Sequence, residues 1–104
     1  MDWKTKENKK LIQAILALEN NDEVERFLRD LMTKKEIEEL ANRLKAAEML
    51  TRKVPYSAIE QETGLSSTTV ARVSRWLKGK EGGYRAIIGK LHHHNSIPSR
   101  RGLS

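Results

Sequence analysis

The chain has 104 residues, which suits one domain with a modest core and leaves little room for a second. Twenty Lys and Arg against fourteen Asp and Glu give a formal charge of +6 at pH 7, which favours nucleic acid or an anionic membrane surface as partner, although many soluble proteins carry such a charge. The absence of cysteine excludes a disulfide framework, a cysteine-based zinc finger and a thiol nucleophile.

The sequence carries no sign of export or of membrane insertion. No apolar run approaches the ~20 residues that a membrane-spanning helix needs. The first twenty residues lack the long apolar stretch and the small-residue cleavage site of a signal peptide. We therefore expect a cytoplasmic protein that has no membrane partner.

Helical periodicity runs through nearly the whole chain, and no alternation typical of strands is present. This pattern predicts an all-α fold in a single helical domain over residues 1–91. The remaining residues, 92–104, are polar and contain Pro98 and Gly102, so we expect a disordered tail. The six helices are predicted over residues 3–18, 22–31, 33–52, 57–63, 66–78 and 84–91.

Polar residues mark the starts of several helices. Asp22 is predicted to cap the second helix by accepting a backbone N–H. Thr33 with Glu36 matches a capping box at the start of the third helix, and Ser57 with Glu60 matches another at the fourth.

The first two helices carry wide apolar faces for so short a chain. A small domain has difficulty covering such faces alone, which favours a second subunit. The alternative is that the first three helices form the core of a monomer. The face of the first helix consists of Leu11, Ile12, Ile15, Leu16 and Leu18, and that of the second of Val24, Phe27, Leu28 and Leu31. The apolar face that the third helix is predicted to bury consists of Ile37, Leu40, Ala41, Leu44, Ala47 and Leu50.

The stretch ETGLSSTTVARVSRWLKG, residues 62–79, has the pattern of a helix-turn-helix motif. Gly64 supplies the residue that tolerates positive φ at a sharp bend between two helices. Leu65 follows it as an apolar plug. The side chains predicted to face inward are Ile59 and Thr63 on the first helix and Val70, Val73 and Leu77 on the second.

The opposite face of that second helix is polar and basic. At 100° per residue, Thr68, Arg72 and Arg75 lie away from the inner stripe. Short hydroxyls can approach bases or phosphates, and arginine can donate two parallel hydrogen bonds to guanine or phosphate. The alternative is a surface helix whose arginines are merely solvated. The predicted DNA-binding residues are Ser66 (also the helix cap), Ser67, Thr68, Thr69, Arg72, Arg75 and Lys78.

Other charged and histidine-rich stretches carry weaker signals. Lys80, Arg85 and Lys90 are candidates for additional phosphate contacts, as are two arginines of the tail. Residues 92–94 are consecutive histidines, which point in different directions on a helix and make a poor metal site. No pattern of catalytic residues emerges, so we expect neither an enzyme nor a metal or cofactor.

The segment LMTKKEIEELANRLKAAEMLTRKVPYSAIEQETGLSSTTVARVSRWLKG, with its run TGLSSTTVARV, resembles the bacterial Trp-repressor family. Within the family it is most similar to the small Trp-repressor-related proteins of the YerC/YecD type. The similarity spans about residues 31–91. It implies an all-helical, intertwined homodimer whose helix-turn-helix, here about residues 57–78, binds double-stranded DNA at a palindromic operator.

The resemblance also implies a ligand site that this sequence alters. In Trp repressors two arginines hold free tryptophan, and Arg43 and Arg72 occupy their positions here. The repressors have glycine after the second arginine, which leaves space for the indole ring, whereas this chain has Val73. A branched side chain should fill that space, so we expect no tryptophan co-repression.

Together these patterns predict a sequence-specific transcriptional regulator, a repressor that tryptophan does not control. The alternative is a helical protein-interaction module whose first two helices dock another protein and whose DNA binding is weak or vestigial.

Overall fold

The computed structural model describes residues 1–96, with side-chain environments for residues 1–92. The described residues form helices joined by short turns and contain no strand, so the all-α prediction is confirmed. The chain divides into two compact units, Met1–Ile37 and the residues from Glu38 onward. The helices are α1 (Lys6–Leu16), α2 (Asn21–Leu31), α3 (Lys34–Thr51), α4 (Tyr56–Thr63), α5 (Ser67–Lys78) and α6 (Gly83–Ser96). Across residues 1–96, no helix is both long and apolar enough to cross a membrane.

The first unit leaves its apolar side chains largely uncovered. Neither α1 nor α2 contains a buried residue. Val24, Phe27 and Leu28 of α2 are half-buried, whereas the apolar residues of α1 predicted to form a broad face are mostly exposed. The exposed large apolar side chains of α1 are Leu11, Ile12, Ile15 and Leu16.

The cap of α2 differs from the prediction. The side chain of Asn20 accepts the backbone N–H of Glu23 at 2.9 Å, so Asn20 is the N-cap and the prediction of Asp22 was wrong. Asp22 lies inside the first turn, where a carboxylate is favoured by the helix dipole. There it pairs with Arg26 at 2.9 Å, between Oδ2 and Nε.

The capping box of α3 is confirmed. Thr33 Oγ1 accepts the N–H of Glu36 at 3.1 Å, and Glu36 Oε1 accepts the N–H of Thr33 at 2.9 Å. At the other end, Lys53 has a positive φ of 63°, which lets the N–H of Val54 reach the carbonyl of Met49 at 3.1 Å. The last turn of α3 therefore closes on a left-handed residue that is not glycine.

The start of α4 also lies slightly before its predicted position. Pro55 is the N-cap, its carbonyl accepts the N–H groups of Ala58 and Ile59 at 3.1 Å, and no side chain caps the helix. Ser57 is therefore the second helical residue, and the predicted capping box with Glu60 does not form. Proline serves here because its fixed φ is compatible with a helix start and its missing N–H needs no partner.

The second unit contains the core. From α3 the core receives three buried side chains, those of Ala46, Ala47 and Met49. Of the six residues that the sequence assigned to the apolar face of α3, only Ala47 is fully buried, and Leu40 is 48% exposed. The core cluster consists of Ala46, Ala47, Met49, Ile59, Val70, Val73 and Ile88, with Leu44, Leu50, Val54, Leu65 and Tyr84 packed against it.

The last helix is longer than predicted. It continues to Ser96, past Leu91, so the first residues of the predicted tail are helical. A fully disordered tail from residue 92 was therefore wrong for residues 92–96. The rest of that segment, 97–104, lies outside the described residues.

Candidate nucleic-acid interface

The bend between α4 and α5 has the backbone geometry of a helix-turn-helix. Gly64 ends α4 with φ 74° and ψ 4°, and its N–H donates to the carbonyl of Glu60 at 2.8 Å. Thr63 is buried, and its hydroxyl donates to the carbonyl of Ile59 at 2.7 Å. The same hydroxyl oxygen accepts the N–H of Leu65 at 3.2 Å. The left-handed glycine therefore turns the chain while the threonine satisfies the amide that follows it.

Apolar side chains fix α4 against α5. Ile59 and Val70 are completely buried, Val73 is 1% exposed, and all three belong to the same core cluster. Leu77 is buried one turn further on, and Leu65 packs partly buried against the cluster. The inner stripe predicted from the sequence is therefore confirmed, and it sets which face of α5 points to solvent.

The outward face of α5 carries the predicted side chains. Thr68, Arg72 and Arg75 are all exposed, as are Ser67 near the helix start and Lys78 at its end. Among residues 1–92, whose side chains are described, neither arginine of this face forms an ion pair or a side-chain hydrogen bond. Their guanidinium groups are therefore available to an external acceptor.

The two remaining predicted residues are engaged in capping. Ser66 is the N-cap of α5, and its Oγ accepts the N–H of Thr69 at 3.1 Å. The Ser66 hydroxyl also donates to Thr69 Oγ1 at 3.1 Å. Thr69 is half-buried. These two side chains hold the first turn in place, which leaves its other backbone N–H groups free to face an anion.

The end of α5 is held by a residue that the sequence suggested for a different role. Arg85, at the start of α6, donates from Nη1 to the carbonyl of Leu77 and, at 2.8 Å, to that of Gly79. The sequence pattern suggested a phosphate contact for Arg85. No sequence signal pairs an arginine with backbone carbonyls six and eight residues earlier, because any residue offers the same acceptor.

A salt bridge joins the motif to α3. Lys45 Nζ lies 3.4 Å from Glu62 Oε2, and both side chains are about half exposed. Such a pair contributes little stability, since water screens it and both side chains lose freedom. Because Glu62 is on α4, the pair makes at most a small contribution to orienting that helix.

The positions that hold a ligand in Trp repressors are differently occupied here. Arg43 Nη2 lies 2.6 Å from Glu39 Oε2, so a carboxylate of the chain itself already pairs with this guanidinium. Arg43 Nε is buried without a hydrogen-bond partner. Burial raises the pKa of Tyr84 above its usual value, and the positive charge of Arg43 opposes that rise. Val73 is 1% exposed and belongs to the core cluster.

The run of three histidines, at residues 92–94, is only partly described by the structure. Among residues 1–92, whose side chains are described, no group of three His, Asp or Glu lies close enough to hold an ion. His92 lies exposed on α6, and the side chains of the next two histidines fall outside the described environments.

Comparison with known proteins agrees with this geometry. The family model described as Trp repressor protein matches residues 6–92. A Bacillus subtilis (strain 168) protein described as uncharacterized protein YerC is 40% identical over 86 residues, which cover 83% of each chain. The crystal structure of a TrpR like protein from Eubacterium eligens ATCC 27750 is 37% identical, with a TM-score of 0.80 over 86% of this chain and 93% of that one.

A second solved structure, from Staphylococcus aureus, is 36% identical, with a TM-score of 0.81 over 88% of this chain and 95% of that one. The fold and the length of the match therefore agree across these comparisons. The chain belongs to the Trp repressor family.

Proposed function

We propose that this protein is a sequence-specific DNA-binding transcriptional regulator, acting as a repressor without tryptophan. One observation carries the proposal: α5 buries Val70, Val73 and Leu77 while its opposite face exposes two unpaired arginines beside a threonine. A helix with one face locked to a core and the other basic is suited to the major groove of DNA. This role requires no catalysis, so the proposed protein is not an enzyme.

Each residue of the outward face has a distinct part in the proposal. Arg72 and Arg75 are long enough to reach base edges or phosphates with two donors each. Thr68 and Ser67, at the N-terminal end, are short and suit close approach of the helix to the groove. Lys78 at the far end would contact a phosphate, which positions the protein without reading sequence.

The proposed assembly is an intertwined homodimer on a palindromic operator. The exposed apolar side chains of α1 support it, since Leu16 is 79% exposed and Ile15 51% exposed. Apolar surface of this kind is commonly covered by a second subunit. Two copies of α5 related by a two-fold axis would read two half-sites about one helical turn apart. In bacteria the chromosome lies in the cytoplasm, so this role implies a cytoplasmic location.

Ligand independence is the second part of the proposal. Val73 occupies core volume where tryptophan-responsive relatives leave space, and Glu39 pairs with Arg43. A branched side chain in a packed core cannot withdraw to admit an indole ring. Calorimetry should detect no heat of tryptophan binding. Binding at micromolar strength would contradict this part while leaving DNA binding itself open.

Selection of bound sequences from random duplex DNA, with purified protein and no added ligand, tests the main proposal. It should yield a palindromic site. Replacing Arg72 and Arg75 by alanine should abolish selective binding and leave the dimer intact, whereas the control R52A, at an exposed arginine outside α5, should bind like the wild type. If ~4–8 phosphates are neutralised per dimer, affinity should also fall steeply with salt.

The competing function is a protein-interaction module that uses α1 and α2, including the exposed apolar side chains of α1, to dock another protein. The exposure of those side chains favours it as much as it favours a homodimer. The double arginine variant separates the two functions. Unchanged biological activity of that variant supports the docking module, and loss of activity with an intact fold supports the regulator.

A further inference from the structure

The C-terminal end of α5 is tied to α6 by a single guanidinium group. Helices leave their last carbonyls without partners inside the helix. Here Arg85 Nη1 uses its two N–H groups on the carbonyls of Leu77 and Gly79. The N–H of Gly79 also bonds back to the carbonyl of Trp76 at 3.2 Å. The last turn of α5 is therefore closed by a side chain from the next helix.

The loop between the helices is shaped to bring Arg85 there. Gly82 has a positive φ of 75°, and its carbonyl accepts the N–H of Ala86 at 2.9 Å in the first turn of α6. A Cβ built on Gly82 would lie 3.2 Å from Arg85 Nη2, so the backbone passes close to the guanidinium. A positive charge at this point also faces the negative end of the α5 dipole.

Apolar packing holds the other side of α6. Ile88 is buried in the core cluster that contains Val70 and Val73, and Tyr84 packs against it. Those contacts fix α6 to the middle of α5. Arg85 adds a polar attachment at the final turn, where Leu77 is buried and Arg75 and Lys78 are exposed.

We propose that Arg85 is a positioning residue for DNA recognition: it holds the last turn of α5 so that Arg75 is presented in a fixed direction, and it does not act by contacting phosphate. This inference rests on the proposed DNA-binding function. Loss of the two hydrogen bonds would let the last turn fray, because its carbonyls would turn to water instead.

The test uses R85Q, R85K and the control K90Q, which removes an exposed charge from the same helix. Affinity is measured by fluorescence anisotropy for the selected operator and for a scrambled duplex, over a series of salt concentrations. R85Q should lower operator affinity by roughly three- to tenfold, the size expected for one or two hydrogen bonds, and leave scrambled-duplex affinity unchanged. R85K, which keeps N–H donors and charge, should recover part of the loss, and K90Q should preserve the ratio of the two affinities.

The salt dependence separates positioning from phosphate contact. A positioning role predicts the wild-type slope of log K against log salt in R85Q. The proposal is overturned if R85Q weakens both duplexes equally and the slope falls by about one per subunit, which is the signature of a lost phosphate contact. It is also overturned if R85Q binds the operator like the wild type, or if R85K is as weak as R85Q.

A measurement without DNA keeps this inference distinct from the proposed function. The chain has two tryptophans, so a W3F background leaves Trp76, in the last turns of α5, as the only one. R85Q in that background should lower the steady-state anisotropy of Trp76 while far-UV circular dichroism stays unchanged. Unchanged anisotropy overturns the positioning role. A wild type that fails to distinguish operator from scrambled DNA contradicts the proposed function, and the Trp76 result still decides whether Arg85 holds the helix end.

Discussion

Leu65 donates its backbone N–H to the hydroxyl oxygen of Thr63 at 3.2 Å, across the left-handed residue Gly64. The same hydroxyl donates to the carbonyl of Ile59 at 2.7 Å, so its hydrogen and one lone pair are both used. Thr63 is buried, which keeps water from replacing either bond. The angle between α4 and α5 therefore depends on one hydroxyl group as well as on the glycine.

Replacing Thr63 by valine keeps the shape of the side chain and removes the hydroxyl. The N–H of Leu65 would then lose its partner in a partly buried place, so T63V should lower the free energy of unfolding by about 1–3 kcal/mol. Urea denaturation followed by circular dichroism measures the loss. The matched control is T51V, because the exposed Thr51 makes a similar bond to the carbonyl of Glu48 at 2.6 Å and water can replace it. Equal, small effects of both substitutions would contradict a special role for Thr63.

Substitutions at two residues with positive φ should change the free energy of unfolding in opposite directions. Gly64, at φ 74°, has no atom within 4 Å of a built Cβ, so G64A adds conformational strain without a clash and should destabilise by about 1–2 kcal/mol. Lys53, at φ 63°, already carries such strain, and K53G should stabilise the fold by up to about 1 kcal/mol. Thermal and urea unfolding of both variants check the signs. A destabilising K53G would show that the Lys53 side chain contributes more than its backbone strain costs.

The sequence predicts the helix-turn-helix well because its signals are local. The apolar residues of α5 recur at helical spacing, and they follow a glycine of the kind that a left-handed bend requires. These residues, Val70, Val73 and Leu77, are all buried as predicted. A helix face depends on periodicity over one or two turns, so neighbouring residues are enough to define it. The predicted use of the opposite face for DNA stays a prediction.

Helix starts are less well determined by sequence, since several residues in a row can cap. Near α2, Asn20 and Asp22 are both good caps, and the choice depends on which of them adopts an extended backbone. At α4 the structure uses Pro55 where Ser57 was predicted. The energy differences among such neighbours are about 1 kcal/mol or less, which a sequence pattern cannot rank.

Contacts between distant parts of the chain were the hardest to predict. Arg85 bonds to backbone carbonyls, and these acceptors are identical in every residue. Leu40 belongs to the apolar stripe of α3 by spacing yet is 48% exposed, whereas Ala46 is completely buried. Which side of α3 faces the core depends on where α4 and α5 pack, and that is a property of the whole fold.

The phenol of Tyr84 should make stability depend on alkaline pH. Burial raises its pKa above the usual value of about 10, and the positive charge of Arg43 lowers it by a smaller amount. The folded protein therefore holds this proton more tightly than the unfolded chain. The resulting stabilisation is fully present below about pH 10 and is lost as pH rises through the folded pKa.

Urea unfolding between pH 8 and pH 11.5 tests whether stability falls with rising pH in this way. The free energy of unfolding should fall more steeply above pH 10 in the wild type than in Y84F, which has no phenol to ionise. Y56F is the control, because Tyr56 is exposed on α4. In addition, R43A should raise the pKa of Tyr84 further, which tyrosinate absorbance measures directly. A lower Tyr84 pKa in R43A would contradict the role assigned to the Arg43 charge.

A charged residue on the apolar face of α1 should separate the proposed dimer. Ile15 is 51% exposed within one chain, beside Leu11, Ile12 and Leu16. If a second subunit covers the exposed half of the side chain, each Ile15 contributes about 0.8–1.5 kcal/mol of burial, and a two-fold axis counts that contribution twice. I15E should therefore raise the dimer dissociation constant by roughly tenfold or more. Helix α1 itself should persist, because glutamate is a good helix former.

The measurement is light scattering coupled to size-exclusion chromatography over a range of protein concentrations. The control K10E places the same negative charge on α1 about 140° away from Ile15, at an exposed lysine, and should leave the dimer intact. If I15E were monomeric and K10E dimeric, the apolar face of α1 would be the subunit interface. A wild type that is monomeric at every concentration would instead support the competing docking function, because the same face would then be uncovered and open to another protein.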